Sequence, residues 1–223
     1  TWAPRGGSFP PFYTHSRFSA LGAGVASALA RGADGELLLR AINIAATLIT
    51  VGPRNHLMRG ALVRNVWPAA GTWNGMIGAQ WAASGIDGLA SSVQDVYTGV
   101  LGFPADAAQL TERLGTEWAV MHGYVRMHAC HLFSNTLVEA LLEVRSKLLA
   151  EGVLDRIDEI ALDTHKEALH LTSTRPSTSL AARFSLPHIA ATTLIHGHAG
   201  AMSFAASTLS QSKMGSLREK VRV

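Results

Sequence analysis

The sequence predicts a mainly α protein with a smaller α+β part: an all-helical region over residues 1–117 followed by an α+β region over residues 118–223, both incomplete. Three observations predict it. Of 223 residues, 48% are hydrophobic and 16% charged, ample for a packed core and too apolar for a disordered chain. Apolar and small residues recur at helical spacing through most of the first half. After Thr116, stretches of apolar/polar alternation enter between the helical stripes.

Residues 1–15 are rich in Gly, Pro and aromatic side chains but carry neither period, so they read as a loop leaving an absent element. The run ALGAGVASALA from Ala20 to Ala30 suits a tightly packed helix, because small residues let backbones approach. Asp34 is placed to cap the next helix, with Glu36 in its first turn and Leu37, Ala41, Ile44 and Leu48 on one face. A long helical stretch from Leu62 to Ser84 follows, weakened by Gly71 and Gly75 and bent by Pro68. Trp67, Trp73 and Trp81 within it read as core residues. Residues 85–104 read as loop with a short helix.

Beyond the boundary near residue 118, Trp118 to Met127 reads as extended. Leu137, Leu141, Val144 and Leu148 stripe a helix that stops near Gly152. Ile160, Leu162 and Thr164 alternate with Ala161 and Asp163, which predicts a strand from Ile157 to Leu171, in the manner of a hairpin arm. The loop Thr172 to Ser179 ends in a Ser/Thr cap for a last long helix, Leu180 to His196. Leu217 to Val223 begins a strand alternation and stops, so both ends of the chain read as cut. No internal repeat is present.

Composition excludes several classes of function. The longest apolar stretch, Ala41 to Val51, is interrupted by Asn43 and two threonines and is too short to span a bilayer. No basic n-region followed by an apolar h-region marks secretion. A single cysteine, Cys130, points to a reducing compartment, the cytoplasm or, in a eukaryote, the mitochondrial matrix. Net charge is +3, but the basic residues are scattered without a stripe or aromatic platforms, so nucleic acid is not an expected partner. Mild positive charge suits a small anionic substrate.

Several segments, taken in order, resemble the MmgE/PrpD family, which includes 2-methylcitrate dehydratase, cis-aconitate decarboxylase and iminodisuccinate epimerase. The clearest is ARFSLPHIAATTLIHG, Ala182 to Gly197, similar to the family's A-x-F-S-L-P-Y-x-x-A-x-x-L-x-x-G helix. A second is RMHACHLFSN, Arg126 to Asn135, followed by an apolar helix carrying Glu139. A third runs from Arg64 to Gly85, beginning RNVWPAAGTWNG and ending WAASG, and a fourth from Tyr13 to Ala46. The closing Leu217 to Val221 also fits. The resemblance implies a helical domain joined to an α+β lid domain with the site in the cleft between them, a homodimer, and no metal or other cofactor.

The implied chemistry is proton abstraction next to a carboxylate of a small di- or tricarboxylate, followed by dehydration, decarboxylation or epimerisation. It needs a base, cations that hold carboxylates, and an acid. By resemblance, His15 falls at a site histidine and is the candidate base or acid. Arg64 and Arg126 stand where the family has lysines and become carboxylate clamps that cannot act as bases. Asn135 replaces a histidine and is left to hydrogen-bond a substrate oxygen. His188 replaces a tyrosine and becomes a second proton carrier. Trp67 stands where many members have histidine.

Two other readings compete. One is a catalytically inactive, truncated or diverged fragment that needs a partner. The other is a metal-dependent hydrolase built on His122, His128 and His131, or on His196 with His198, although no H-E-x-x-H or C-x-x-C spacing accompanies them. Ser185 reads as bonding its own helix backbone and Cys130 as a small packed hydrophobe rather than as nucleophiles.

Overall fold

The computed structural model describes residues 12, 13, 15–103 and 111–223, with the side chains of Tyr13, His15 and Arg17 outside that description. The protein is mainly helical, as predicted. It divides into two compact units, Thr1–Asn55 with Leu62–His122, and His56–Ala61 with Gly123–Val223.

The first unit is built on three helices, α1 (His15–Ala30), α2 (Gly35–Thr47) and, after the short α3 (Arg54–Met58), whose last three residues count with the second unit, α4 (Trp67–Ala83). Asp34 caps α2 as its position predicts, accepting from the Leu37 N–H at 2.8 Å. The stripe Leu37, Ala41, Ile44 and Leu48 packs with Ala28, Ala79 and Ala82, with Ala41 and Ile44 buried and Leu37 and Leu48 half-buried. Helix α4 crosses α1 closely because Gly71 and Gly75 line the crossing. A Cβ added at Gly75 would overlap the Ala20 carbonyl and lie 2.8 Å from the Gly24 nitrogen. Asn74 Nδ2 ties the chain after α2 by donating to the Leu48 carbonyl at 2.8 Å. Among its described residues this region is not all-helical: β1 (Phe12–Tyr13) pairs antiparallel with β2 (Gly52–Pro53). Of the three tryptophans expected in the core, Trp67 is buried, whereas Trp73 is 66% and Trp81 42% exposed. Residues Ser92–Gln94 (α5) and Asp95–Val100 form the expected short helical turns.

The second unit surrounds one buried helix. The predicted helix Leu180 to His196 is two helices, α7 (Ser179–Arg183) and α8 (Leu186–His196), broken where Thr178 caps the first and Ser185 the second. Every residue from Leu186 to Leu194 is buried. Helix α6 (Asn135–Ala150) packs on α8 through Val138 and Leu141, while Val144 of the predicted stripe is 43% exposed. After α9 (Ala206–Leu209), helix α10 (Ser212–Glu219) packs on α8 from another side.

The strands are where the structure departs most from prediction. Only Ile160–Ala161 of the expected Ile157 to Leu171 is strand (β3), and Lys166–Ala168 turns as a 3-10 helix. Its partner is no hairpin arm: β4 (Val221–Arg222) lies parallel, with Ile160 opposite Val221. Leu217 to Glu219, expected to begin that strand, close α10 instead. Trp118 to Met127 is not extended throughout, since Ala119–His122 forms a 3-10 turn, and its large apolar side chains lie exposed. Alternation over a few residues marks exposure on one side without supplying a partner strand, and here the partner is two residues long.

Candidate functional site

Helix α8 begins at Leu186 because Ser185 is extended and its Oγ accepts from the His188 N–H at 3.0 Å, while Pro187 sits in the first turn, where its missing N–H costs nothing. The same hydroxyl donates to the Ser173 carbonyl at 2.5 Å, and Ser185 bonds its own helix backbone, as predicted. That start turns His188 inward, fully buried. Its Nε2 lies 2.9 Å from the Ser203 carbonyl and its Nδ1 3.2 Å from Arg218 Nη1. Arginine can only donate, so Nδ1 holds the lone pair and Nε2 carries the proton to the carbonyl. Burial pulls the imidazole below its usual value, against the Ser203 bond that raises it and with Arg218 and His196 lowering it further.

Arg218, 8% exposed, also donates to the Leu209 carbonyl at 3.2 Å. Burial lowers its affinity for protons, and the neighbouring Glu219 opposes this; the guanidinium stays charged. Ser203 in turn holds His198, with Oγ 3.0 Å from Nδ1.

A second group lies on the segment leading into α6. Arg126 is exposed. His128 Nε2 is 2.6 Å from Glu139 Oε1, the histidine side chain 14% and the carboxylate 67% exposed. Cys130 is buried, and burial pushes its thiol up to about 11 despite its backbone bond and the charge of Arg126. Its Sγ reaches Asn135 Oδ1 at 4.0 Å, and Asn135 Nδ2 donates to the Leu132 carbonyl at 3.1 Å. The cysteine is a protonated core residue in the cluster of Val138, Ile189 and Phe204, as its sequence position suggests.

Of the sequence-predicted site residues, Arg126, Asn135 and His188 therefore fall in the second unit, the first two beside Cys130 and the last inside the core on the same cluster, 5.7 Å from the Phe204 ring. Arg64 lies in the first unit, half-buried in the 3-10 turn Leu62–Val66, with Nη1 3.5 Å from Asn65 Oδ1. His15 opens α1, and its side chain lies outside the described residues.

Two side-chain pairings escaped the sequence. His128 and Glu139 are eleven positions apart on a loop and a helix, a separation no periodicity links. Arg218 is one basic residue among several near the end of the chain, and nothing local marks it as buried. The histidines proposed as metal ligands go elsewhere: His122 to Glu117 at 2.6 Å, His128 to Glu139, and His131 between the rings of Phe133 and Phe184. Among the described residues, no group of three or more His, Cys, Asp or Glu is placed to hold a metal ion. Among them, too, no helix is long and apolar enough to cross a membrane.

Chemically, the segment from Arg126 to Glu139 pairs an exposed cation with an imidazole oriented by a carboxylate, the means to hold an anion and to accept a proton. The family model for the MmgE/PrpD C-terminal domain matches residues 128–223, which include this histidine–carboxylate pair and His188. No curated protein matches the chain.

Proposed function

Because the chain carries an MmgE/PrpD C-terminal domain over residues 128–223, we propose that it is a lyase or isomerase that removes a proton next to a carboxylate of a small di- or tricarboxylate, without a cofactor. That family match carries the reading. The reaction ends in dehydration, decarboxylation or epimerisation of a 2-methylcitrate-like or aconitate-like acid. In this reading Arg126 clamps a carboxylate, Arg64 a second one, and Asn135 Oδ1 accepts from a substrate hydroxyl. His15 and His188 are proton carriers by resemblance. His128 joins them on geometry, because Glu139 orients its ring and its other nitrogen is left for substrate. His188 can act only after Arg218 or Ser203 releases a ring nitrogen, since both are engaged. The active form is a homodimer, to be tested by light scattering.

The test is incubation with citrate, 2-methylcitrate and cis-aconitate in heavy water, reading solvent deuterium incorporation alongside loss of water or carbon dioxide. Arg126→Ala and His128→Ala are each expected to lower kcat/KM about a hundredfold, the scale of a lost charge-assisted bond. Full activity in both variants removes their roles. The closed state of His188 favours a second reading, a catalytically inactive piece that needs a partner. Complete absence of deuterium incorporation from every acid selects that one.

A further inference from the structure

A cavity of about 180 Å³ in the second unit shares no lining residue with the site above. It lies between the turn Leu154–Arg156, the last turn of α8 and the end of α10. Its floor is Leu154, Ile157, Leu194 and Leu217, which belong to the cluster that packs β3 and β4 through Ile160 and Val221. Core packing therefore shapes the cavity's floor, while Asp155, Lys213, Ser216 and Lys220 shape its rim. A dry apolar cavity of roughly 150 Å³ accommodates benzene, so this one suits a ligand of about six to eight heavy atoms.

The rim carries three charges. Lys213 Nζ lies 2.6 Å from Asp155 Oδ1, and these two offset each other. Lys220 Nζ donates to the Ile157 carbonyl at 2.5 Å, a neutral acceptor that leaves its charge uncompensated and further N–H groups to donate. Ser216 adds an exposed hydroxyl. The carbonyl of Leu194, in the last turn of α8 and unfavourable to an anion, is occupied by Arg145 Nε at 2.9 Å.

We infer that this cavity binds a short-chain aliphatic monocarboxylate, its chain on the Leu194 and Leu217 floor and its carboxylate on Lys220 and Ser216. A dicarboxylate of the same length would press a second charge against leucines, at a desolvation cost nothing there repays. An alcohol lacks the charge that Lys220 attracts. The inference is independent of the catalytic reading, because its test needs no turnover.

The ¹⁵N-labelled 223-residue chain is titrated with valerate, and backbone amide shifts are followed. Saturable shifts at Leu154, Leu217 and Lys220 are expected, with a dissociation constant on the order of 1 mM for so small a ligand. Lys220→Gln should weaken binding at least about fivefold, the scale of one partly exposed charge contact. Ser216→Trp, which fills the mouth from an exposed position, should abolish it with thermal stability kept. Non-saturable shifts, or pentanol or succinate binding as tightly as valerate, overturn the inference. So does wild-type affinity in Lys220→Gln or Ser216→Trp.

Discussion

His188 is neutral in the folded protein because Arg218 donates to one of its nitrogens and burial opposes a second charge beside that guanidinium. An imidazole held below its ordinary value of 6.5 stabilises the fold fully above that pH. As pH falls from there through the native value, the unfolded chain takes up the proton first and the contribution drains away. Urea midpoints measured from pH 8 to pH 5 should therefore fall. His188→Gln should flatten part of that fall while costing about 1–3 kcal/mol at neutral pH. An unchanged pH slope in the variant contradicts the assignment. Cys130 offers a second check at this scale. A thiol raised to about 11 stays protonated and enclosed at pH 8, so iodoacetamide should label it only after denaturant is added. Labelling of the native protein at the rate of a free thiol counts against its burial. The packing of Cys130 was expected from the sequence, whereas the state of His188 was not legible there, because it depends on Arg218 arriving from another segment.

At the scale of elements, the helices were largely legible and the strands were not. Asp34 announces α2 because a cap acts within three residues, and the stripe of α2 needs only one apolar face opposite it, whereas the Ser185 cap that starts α8 was passed over inside one predicted helix, Leu180 to His196. The close approach of α1 and α4 is likewise written in small residues. Gly75→Ala should cost about 1–3 kcal/mol by overpacking, although alanine is the better helix former by about 1 kcal/mol. Gly22→Ala in α1 meets nothing within 4 Å and should instead stabilise by up to about 1 kcal/mol. Thermal unfolding of the pair reads the difference, and equal effects would sink the packing argument. The strand predicted over Ile157 to Leu171 failed for a physical reason. Alternation describes one face of a chain, whereas a strand also needs backbone partners, and Val221–Arg222 supplies them for two residues alone.

Over the whole molecule, protection should follow the two cores. Hydrogen exchange is expected to be slowest at Ile189–Leu194 and along α1 and α4, and fast through residues 118–127, where Val120, Met121, Val125 and Met127 are all at least 79% exposed. Strong protection of that segment would show it paired or covered. The segment reads as extended in the sequence, yet part of it turns and its large apolar side chains face solvent, which only the fold reveals. By itself the sequence determined what neighbours within a few residues decide: the helical class, the Asp34 cap, the small-residue packing of α1, and the stretch, residues 128–223, that matches the MmgE/PrpD C-terminal domain model. Tertiary structure alone decided which charges meet. It closed His188 on Arg218, set His128 against Glu139, and left Lys220 at the rim of an apolar cavity. Helical period and capping are local energies read along the chain, while the pairing of a buried charge depends on desolvation by segments that sequence order does not place together.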